Sequence, residues 1–186
     1  TAGQTTRALD DAYFRQRSGF LGSSSTTYTH QVEATGTQAS HLGGKTVQIK
    51  AGQDIARIAS KVLSDTGTQL DAKGNVSILA APENSSQQSH HQSKRSGVFG
   101  SGGLGVTIGS QSQSTDQRVT RTASAPSTVG SIQGNVEIIA GNAYRQIGSD
   151  LFAPGGDVKV KAKDIKITGT PETEQDTTRS QSRQSG

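Results

Sequence analysis

One short phrase recurs along this chain and limits what the chain can become. Gly74-Asn75-Val76-Ser77-Ile78-Leu79-Ala80 returns as Gly134-Asn135-Val136-Glu137-Ile138-Ile139-Ala140 and as Gly156-Asp157-Val158-Lys159-Val160-Lys161-Ala162. Gly44-Lys45-Thr46-Val47-Gln48-Ile49-Lys50-Ala51 is a looser copy, and Asp164-Ile165-Lys166-Ile167 a shorter one. Each copy is a turn followed by an apolar–polar–apolar alternation, the period-two signature of a strand with one buried face. Gly-Asn and Gly-Asp pairs accept the positive φ of a tight corner. A longer period lies over the first. Shifted by 89 positions, Val47, Ile49 and Ala51 fall on Val136, Ile138 and Ala140, and Pro82-Glu83 falls on Pro171-Glu172. Without gaps, 14 of the 51 aligned residues are identical. Self-similarity at a fixed period is the mark of a stacked repeat architecture.

Composition agrees with a thin stack. Leu, Ile, Val and Phe together number 34 of 186 residues, whereas Ser, Thr and Gln number 63 and Gly 23. So few large aliphatics cannot fill a helical bundle or a doubly wound α/β core. They suffice for short strands that each bury two or three side chains. The expected fold is all-β: a right-handed parallel β-helix of about 20-residue coils, with polar or Gly-rich extra-helical loops. Val47, Ile49, Val76, Ile78, Val136, Ile138, Val158, Val160, Ile165 and Ile167 are the expected core. Residues 84–96 hold no aliphatic side chain, and 110–128 hold only Val119 and two Ala. They are read as loops, excursions from the stack, or disorder. A short helix over 55–63, capped by Asp54 with Ile55, Ile58 and Val62 on one face, competes with the strand reading. As domains, the chain reads as one repeat-region fragment over 1–186. It divides into a partial unit at 14–46, one unit at 47–135 and a second, partial unit at 136–186.

No apolar run approaches the ~20 residues of a membrane helix. Thr1 is not a natural start, so the chain is read as an excerpt or a processed product. With no Cys there are no disulfides or thiolate metal sites. The formal net charge of +4 is spread along the chain rather than gathered in a block. Nucleic-acid binders usually interleave aromatics for stacking, and Tyr13, Phe14 and Phe20 lie far in sequence from Lys94-Arg95, so no nucleic-acid partner is expected.

The motifs that could carry chemistry have weak contexts. Gly100-Ser101-Gly102-Gly103-Leu104-Gly105 spells G-x-G-x-x-G, but the strand-like Val106-Thr107-Ile108 follows where a helix should begin. A Gly-rich turn or hairpin is the better reading. Gly44-Lys45-Thr46 resembles the end of a phosphate-binding loop, but Ala39 stands where its first Gly should be. His90-His91 has no carboxylate within six residues, and His30 and His41 are isolated, so no metal site is expected. Asp10-Asp11 and Asp150 with Asp157 are the carboxylate pairs to consider for hydrolysis, and neither has a base nearby in sequence. The chain is therefore expected to carry no catalytic, cofactor-binding or metal residues and to be no enzyme.

The ordered set of phrases is similar to the haemagglutinin repeats of filamentous haemagglutinins. The set comprises the Gly-Asn/Asp-Val-x-Ile/Val-x-Ala strands, Pro-Glu at 82–83 and 171–172, the tract ending Lys94-Arg95-Ser96-Gly97, and the Gly-rich stretch over 98–109. More narrowly, Ile147-Gly148-Ser149-Asp150-Leu151-Phe152-Ala153-Pro154-Gly155-Gly156-Asp157-Val158 resembles the second repeat region of contact-dependent growth inhibition effectors of the CdiA type. The resemblance covers roughly residues 14–186. It implies a segment of a very large exoprotein, secreted through an outer-membrane two-partner secretion transporter and displayed on the bacterial cell surface. It further implies a toxin domain at the far C-terminus of the same chain, with the repeats acting at the target-cell outer membrane or a surface receptor. An adhesin module of the haemagglutinin kind is the alternative. The family's repeats contain no catalytic residues to carry over.

Overall fold

The computed structural model describes residues 2–101 and 105–185, and every element among them is a strand. Chain positions cluster into two compact units. The first comprises residues 1–5, 35–83 and 122–173. Within it, β3 (Ser40–Ala51) and β4 (Ile55–Ile58) form one turn of the chain, and β5 (Ser60–Ala72) and β6 (Val76–Leu79) the next. A third follows as β9 (Thr128–Ser131), β10 (Asn135–Ala140) and β11 (Ala143–Ile147), and a fourth as β12 (Asp150–Phe152), β13 (Val158–Lys161) and β14 (Asp164–Thr168). Each turn lays its strands parallel on the last. β5 pairs with β3, β9 and β10, and β10 with β13. β4, β6, β11 and β14 form a separate four-stranded parallel sheet.

The register explains the core. Val47 lies beside Thr68, Thr68 beside Val136, and Val136 beside Val158; Ile49, Leu70, Ile138 and Val160 form the next inward column. In the four-stranded sheet, Ile55, Val76, Tyr144 and Ile165 stack, as do Arg57, Ile78, Gln146 and Ile167. Val47, Val76, Ile78, Val136 and Ile138 are buried as the sequence implies, and Ile49 and Val160 are partly so. Val158, Ile165 and Ile167 depart from expectation: they are 42%, 48% and 61% exposed. They point inward along their columns, but they belong to the last coil, which has a neighbour on one side only. The core also takes in Val62, Leu70, Val129 and Tyr144, which the repeated phrases do not single out.

Polar side chains close the corners. Ser60 and Ser127 are buried, and the Ser60 amide donates to Ser127 Oγ at 3.1 Å. Ser127 Oγ in turn donates to the Leu79 carbonyl at 2.7 Å. At another corner Asp54 Oδ1 accepts the Asn75 amide at 2.6 Å, and Asn75 Oδ1 accepts the Ala143 amide at 3.2 Å. Side chains of successive coils thereby satisfy backbone amides that a corner takes out of the ladder.

The proposed helix over 55–63 does not form. Those residues are β4 and the start of β5, joined at Ala59, whose φ is +42°. The left-handed residue breaks any helical run at that point.

The second unit comprises residues 6–34, 84–121 and 174–186. It holds most of a five-stranded sheet ordered β1 (Gly3–Gly19), β2 (Gly22–Gln38), β7 (Ala81–Ser101), β8 (Gly105–Ala125) and β15 (Thr173–Ser185). Contacts between β8 and β15 run in opposite sequence order, from Ser110–Ser185 to Gln117–Asp176, so these strands are antiparallel. Thr5 with Gly36 and Asp10 with Gln31 give the same sense for β1 and β2. The tracts 84–96 and 110–128, read from sequence as loops or disorder, are thus largely strand. A strand needs no aliphatics when its backbone is paired on both edges. Here cross-strand hydroxyl and amide contacts such as Ser23–Ser96 (2.8 Å) stand where apolar pairs would. The architecture is all-β, with parallel and antiparallel sheets in one chain.

Candidate functional site

The sequence candidates are scattered by the fold. Gly44-Lys45-Thr46 is a corner in β3 where the pairing register shifts, and Thr66 Oγ1 donates to the Lys45 carbonyl at 2.8 Å. No helix follows it. The glycine motif at Gly100–Gly105 has its centre, residues 102–104, outside the described residues. Asp157 sits at a corner, where its amide donates to Asn135 Oδ1 at 2.9 Å and its carbonyl accepts the Val136 amide. Asp150 opens β12 and its amide donates to the Ser127 carbonyl. Both residues act through their backbones in closing a coil. Asp10 and Asp11 are successive exposed positions of β1, and Asp10 accepts a long 3.4 Å contact from Gln31.

The histidines divide. His41 is exposed on β3 and lies beside Lys61. His30 stacks on Tyr28 with ring centroids 6.3 Å apart. His90 Nδ1 makes a hydrogen-bond contact with Asp116 Oδ1 of β8. This pair escaped the sequence reading because the carboxylate lies 26 positions away, on the other arm of a hairpin. Among the described residues, no three His, Asp or Glu side chains converge as a metal site would need.

What the fold does assemble is a basic, hydroxyl-rich hollow in the second unit. It encloses about 300 Å³ and is walled by Gln16 of β1, Ser23 and Ser25 of β2, Lys94 and Ser96 of β7, and Ser112 of β8. Strand alternation sends Lys94 and Arg95 to opposite faces, yet both border this depression. A shallower concavity joins Arg17 and Arg95 to Leu21 and Val98. Gly22 and Gly97 make the close approach between β2 and β7: a Cβ on Gly22 would collide with the Ser96 carbonyl, and Gly97 has φ +151°. Beyond them, the two-residue turn Phe20-Leu21 stands open to solvent. The signal in the sequence was present but spread out. The stretches 12–32, 84–115 and 177–186 contain Arg15, Arg17, Lys94, Arg95, Arg179 and Arg183 and no Asp or Glu.

Comparison with known proteins points the same way as the coil geometry. The family described as hemagglutinin repeat matches residues 18–186. A tRNA nuclease CdiA of Yersinia mollaretii is 40% identical over 148 residues, covering 77% of this chain and 5% of that protein. A 16S rRNA endonuclease CdiA of Enterobacter cloacae is 35% identical over 171 residues, covering 89% of this chain and 5% of that protein. A tRNA nuclease CdiA of Escherichia coli O6:K15:H31 is 34% identical over the same length, with the same coverage. The chain thus spans about a twentieth of the length of these curated relatives. No solved structure matches it. With its parallel coils, its repeated corner phrases and a match over nearly its whole length, the chain belongs to the hemagglutinin-repeat family, of the filamentous haemagglutinin and CdiA type.

Proposed function

We propose that this chain is a non-catalytic repeat segment of a large two-partner-secreted exoprotein, serving contact-dependent growth inhibition as scaffold and toxin-delivery element at the target-cell outer membrane. The observation that carries the reading is the match to CdiA proteins named as nucleases, over a segment that is 5% of each. A nuclease domain elsewhere in such a chain needs something to display and deliver it. Stacked coils that each contact only their neighbours suit that work. Export through an outer-membrane transporter, display on the producing cell and a C-terminal toxin in the same chain belong to this proposal. So do the absence of catalytic, metal and cofactor residues in the segment and the absence of a nucleic-acid partner for it.

The coils wind right-handed, as parallel strand–crossover–strand connections nearly always do. The repeating unit is two coils plus one long hairpin, with unit one at 47–135 and a second, partial unit at 136–186. Pro82-Glu83 and Pro171-Glu172 stand at equivalent places, near the start of β7 and just before β15.

The test is an in-frame deletion of Val47 to Asn135 within the full exoprotein. The new junction restores the phase of the repeat, so export and attachment to target cells should persist while toxin entry is lost. Surface display is confirmed first, and aggregates and surviving targets are then counted in one co-culture. Normal killing with reduced aggregation contradicts delivery and supports the adhesin alternative.

A further inference from the structure

We propose that the free edge of β15 is a strand acceptor, and that its occupant is the second arm of another unit's hairpin, a strand of the β8 pattern. A bare edge would leave the outcome of the deletion experiment unchanged, so this interface and toxin delivery stand or fall separately.

The order of the five-stranded sheet identifies the occupant. β1 and β2 are the arms of one hairpin, and β7 and β8 the arms of the next. From β1 to β8 the sheet therefore alternates first arm, second arm, first arm, second arm. β15 is a first arm again. Shifted by 89 positions, Pro82-Glu83 of β7 falls on Pro171-Glu172, Gln92-Ser93 on Gln181-Ser182, and Ser96-Gly97 on Ser185-Gly186. β7 has a second arm on each edge, β2 and β8. β15 has β8 on one edge and, among the described residues, no strand on the other. The place left open beside β15 is that of a second arm.

The edge is built to accept one. An edge strand offers a row of unpaired N–H and C=O groups, and an extended peptide that pairs with them enlarges the sheet. All 13 residues of β15 are exposed, and the strand contains neither Pro nor Lys, the residues that commonly blunt such an edge. Its occupied edge already holds the β8 sequence: Ser110 meets Ser185, and Thr115 meets Ser180.

Charge supports the register. His90 of β7 meets Asp116 of β8. Counted along the two strands from that contact, antiparallel pairing sets Ser85 against Arg121. The residues 89 positions on from His90 and Ser85 are Arg179 and Glu174. A strand of the β8 pattern laid on β15 in the same register therefore sets its Asp116 against Arg179 and its Arg121 against Glu174. Both are opposite-charge pairs directly across the ladder, where β7 offers a histidine and a neutral serine. Among the described residues, neither Glu174 nor Arg179 forms an ion pair.

The test adds a synthetic peptide of residues 105–125 to the 186-residue chain. Binding is read from the fluorescence anisotropy of the labelled peptide and from amide hydrogen exchange of the chain. The peptide should bind at least tenfold more tightly than a shuffled peptide of the same composition. It should also slow exchange of alternate β15 amides at least tenfold. Thr115→Pro/Thr120→Pro in the peptide removes a ladder donor from each of its edges and should abolish binding. Asp116→Lys in the peptide should weaken binding at least fivefold, and Arg179→Asp in the chain should restore it. Should Arg179→Asp misfold, Arg121→Glu in the peptide supplies a second charge reversal with the same expected loss. Absence of binding, equal binding of the shuffled or Pro-containing peptide, or charge reversals without effect overturns the proposal. So does slowed exchange on β1 instead of β15. Slowed β15 exchange that grows with chain concentration in the absence of peptide would make a second copy the occupant and overturn it as well.

Discussion

Ala59 and Gly148 stand 89 positions apart and turn the same corner two coils apart, with φ of +42° and +53°. An L-residue in that region costs about 1–2 kcal/mol. The second copy avoids the cost with glycine, and the first tolerates it with the smallest side chain that has a Cβ. The neighbourhood follows the choice. A Cβ on Gly148 would run into the Thr170 side chain, whereas the residue equivalent to Thr170 in the first unit is Ala81. Gly148→Ala should therefore cost about 2 kcal/mol or more in urea unfolding, from backbone strain and collision together. Thr170→Ala alone should cost about 1 kcal/mol, since Thr170 shares a 2.7 Å hydrogen bond with Ser124. The double variant should be less unstable than the sum by at least about 1 kcal/mol, the signature of two residues in contact. Strict additivity would mean that the cost is backbone strain alone. Val136 and Glu137 give a second contrast at this scale. Val136→Asp buries a carboxylate at a fully enclosed position and should cost several kcal/mol. Glu137→Lys should cost roughly 1 kcal/mol rather than nothing, because Glu137 accepts from Gln69 at 2.9 Å and lies beside Lys159. Equal melting temperatures for the two would place the wrong face inward.

Among the elements, β11 shows what alternation could and could not reveal. Its inward positions are Tyr144 and Gln146, both buried, in columns that also hold Ile55, Val76 and Ile165, and Arg57, Ile78 and Ile167. Neither resembles the Val-x-Ile phrase, so β11 was invisible to a search for that phrase. The pair is made compatible with burial by its own bonding: Tyr144 Oη donates to Gln146 Oε1 at 2.8 Å, and Gln146 Nε2 donates to the Ser149 carbonyl at 2.6 Å. Burial raises the Tyr144 phenol to a pKa of about 12 from its usual 10.0. The native state thus holds its proton where the unfolded chain has lost it. This contribution is complete below pH 10 and fades as pH rises toward 12, by about 2–3 kcal/mol in all. Unfolding free energies at pH 9 and pH 11.5 should differ by most of that amount, and the difference should shrink in Tyr144→Phe. An unchanged difference in the variant would assign the alkaline loss to other groups. The phrases Val-x-Ile were legible because hydrophobic alternation reports burial directly. Strands β7 and β8 were not, because they are held by pairing with neighbours distant in sequence, and no local composition encodes that. For the same reason Lys94-Arg95, inside a strand paired on both edges, should resist trypsin in the native state more than their exposure suggests. Rapid native cleavage there would show that β7 opens readily.

At the scale of the whole molecule, the coil register was legible and its interruption was not. The 89-residue period marked which phrases are equivalent, but nothing local said that β5 would pair with β9 and β10 across a 48-residue insertion, 80–127, that carries β7 and β8. The hollow was likewise illegible, because its walls come from β1, β2, β7 and β8 and meet only when those strands are ordered. The central claim is that parallel stacking resumes in register after the hairpin. The chain contains no Cys, so engineered pairs report without interference. Gln69 and Glu137 are direct partners on adjacent coils, and Lys159 is the partner of Glu137 one coil further on. Adjacent strands lie about 4.8 Å apart, within the reach of a disulfide, whereas two steps put the Cα atoms roughly 9.6 Å apart and beyond it. Gln69→Cys with Glu137→Cys should therefore oxidise to an intramolecular disulfide under native conditions, and Gln69→Cys with Lys159→Cys should not. Failure of the first pair, or bridging by the second, would contradict the stacked register on which the account rests.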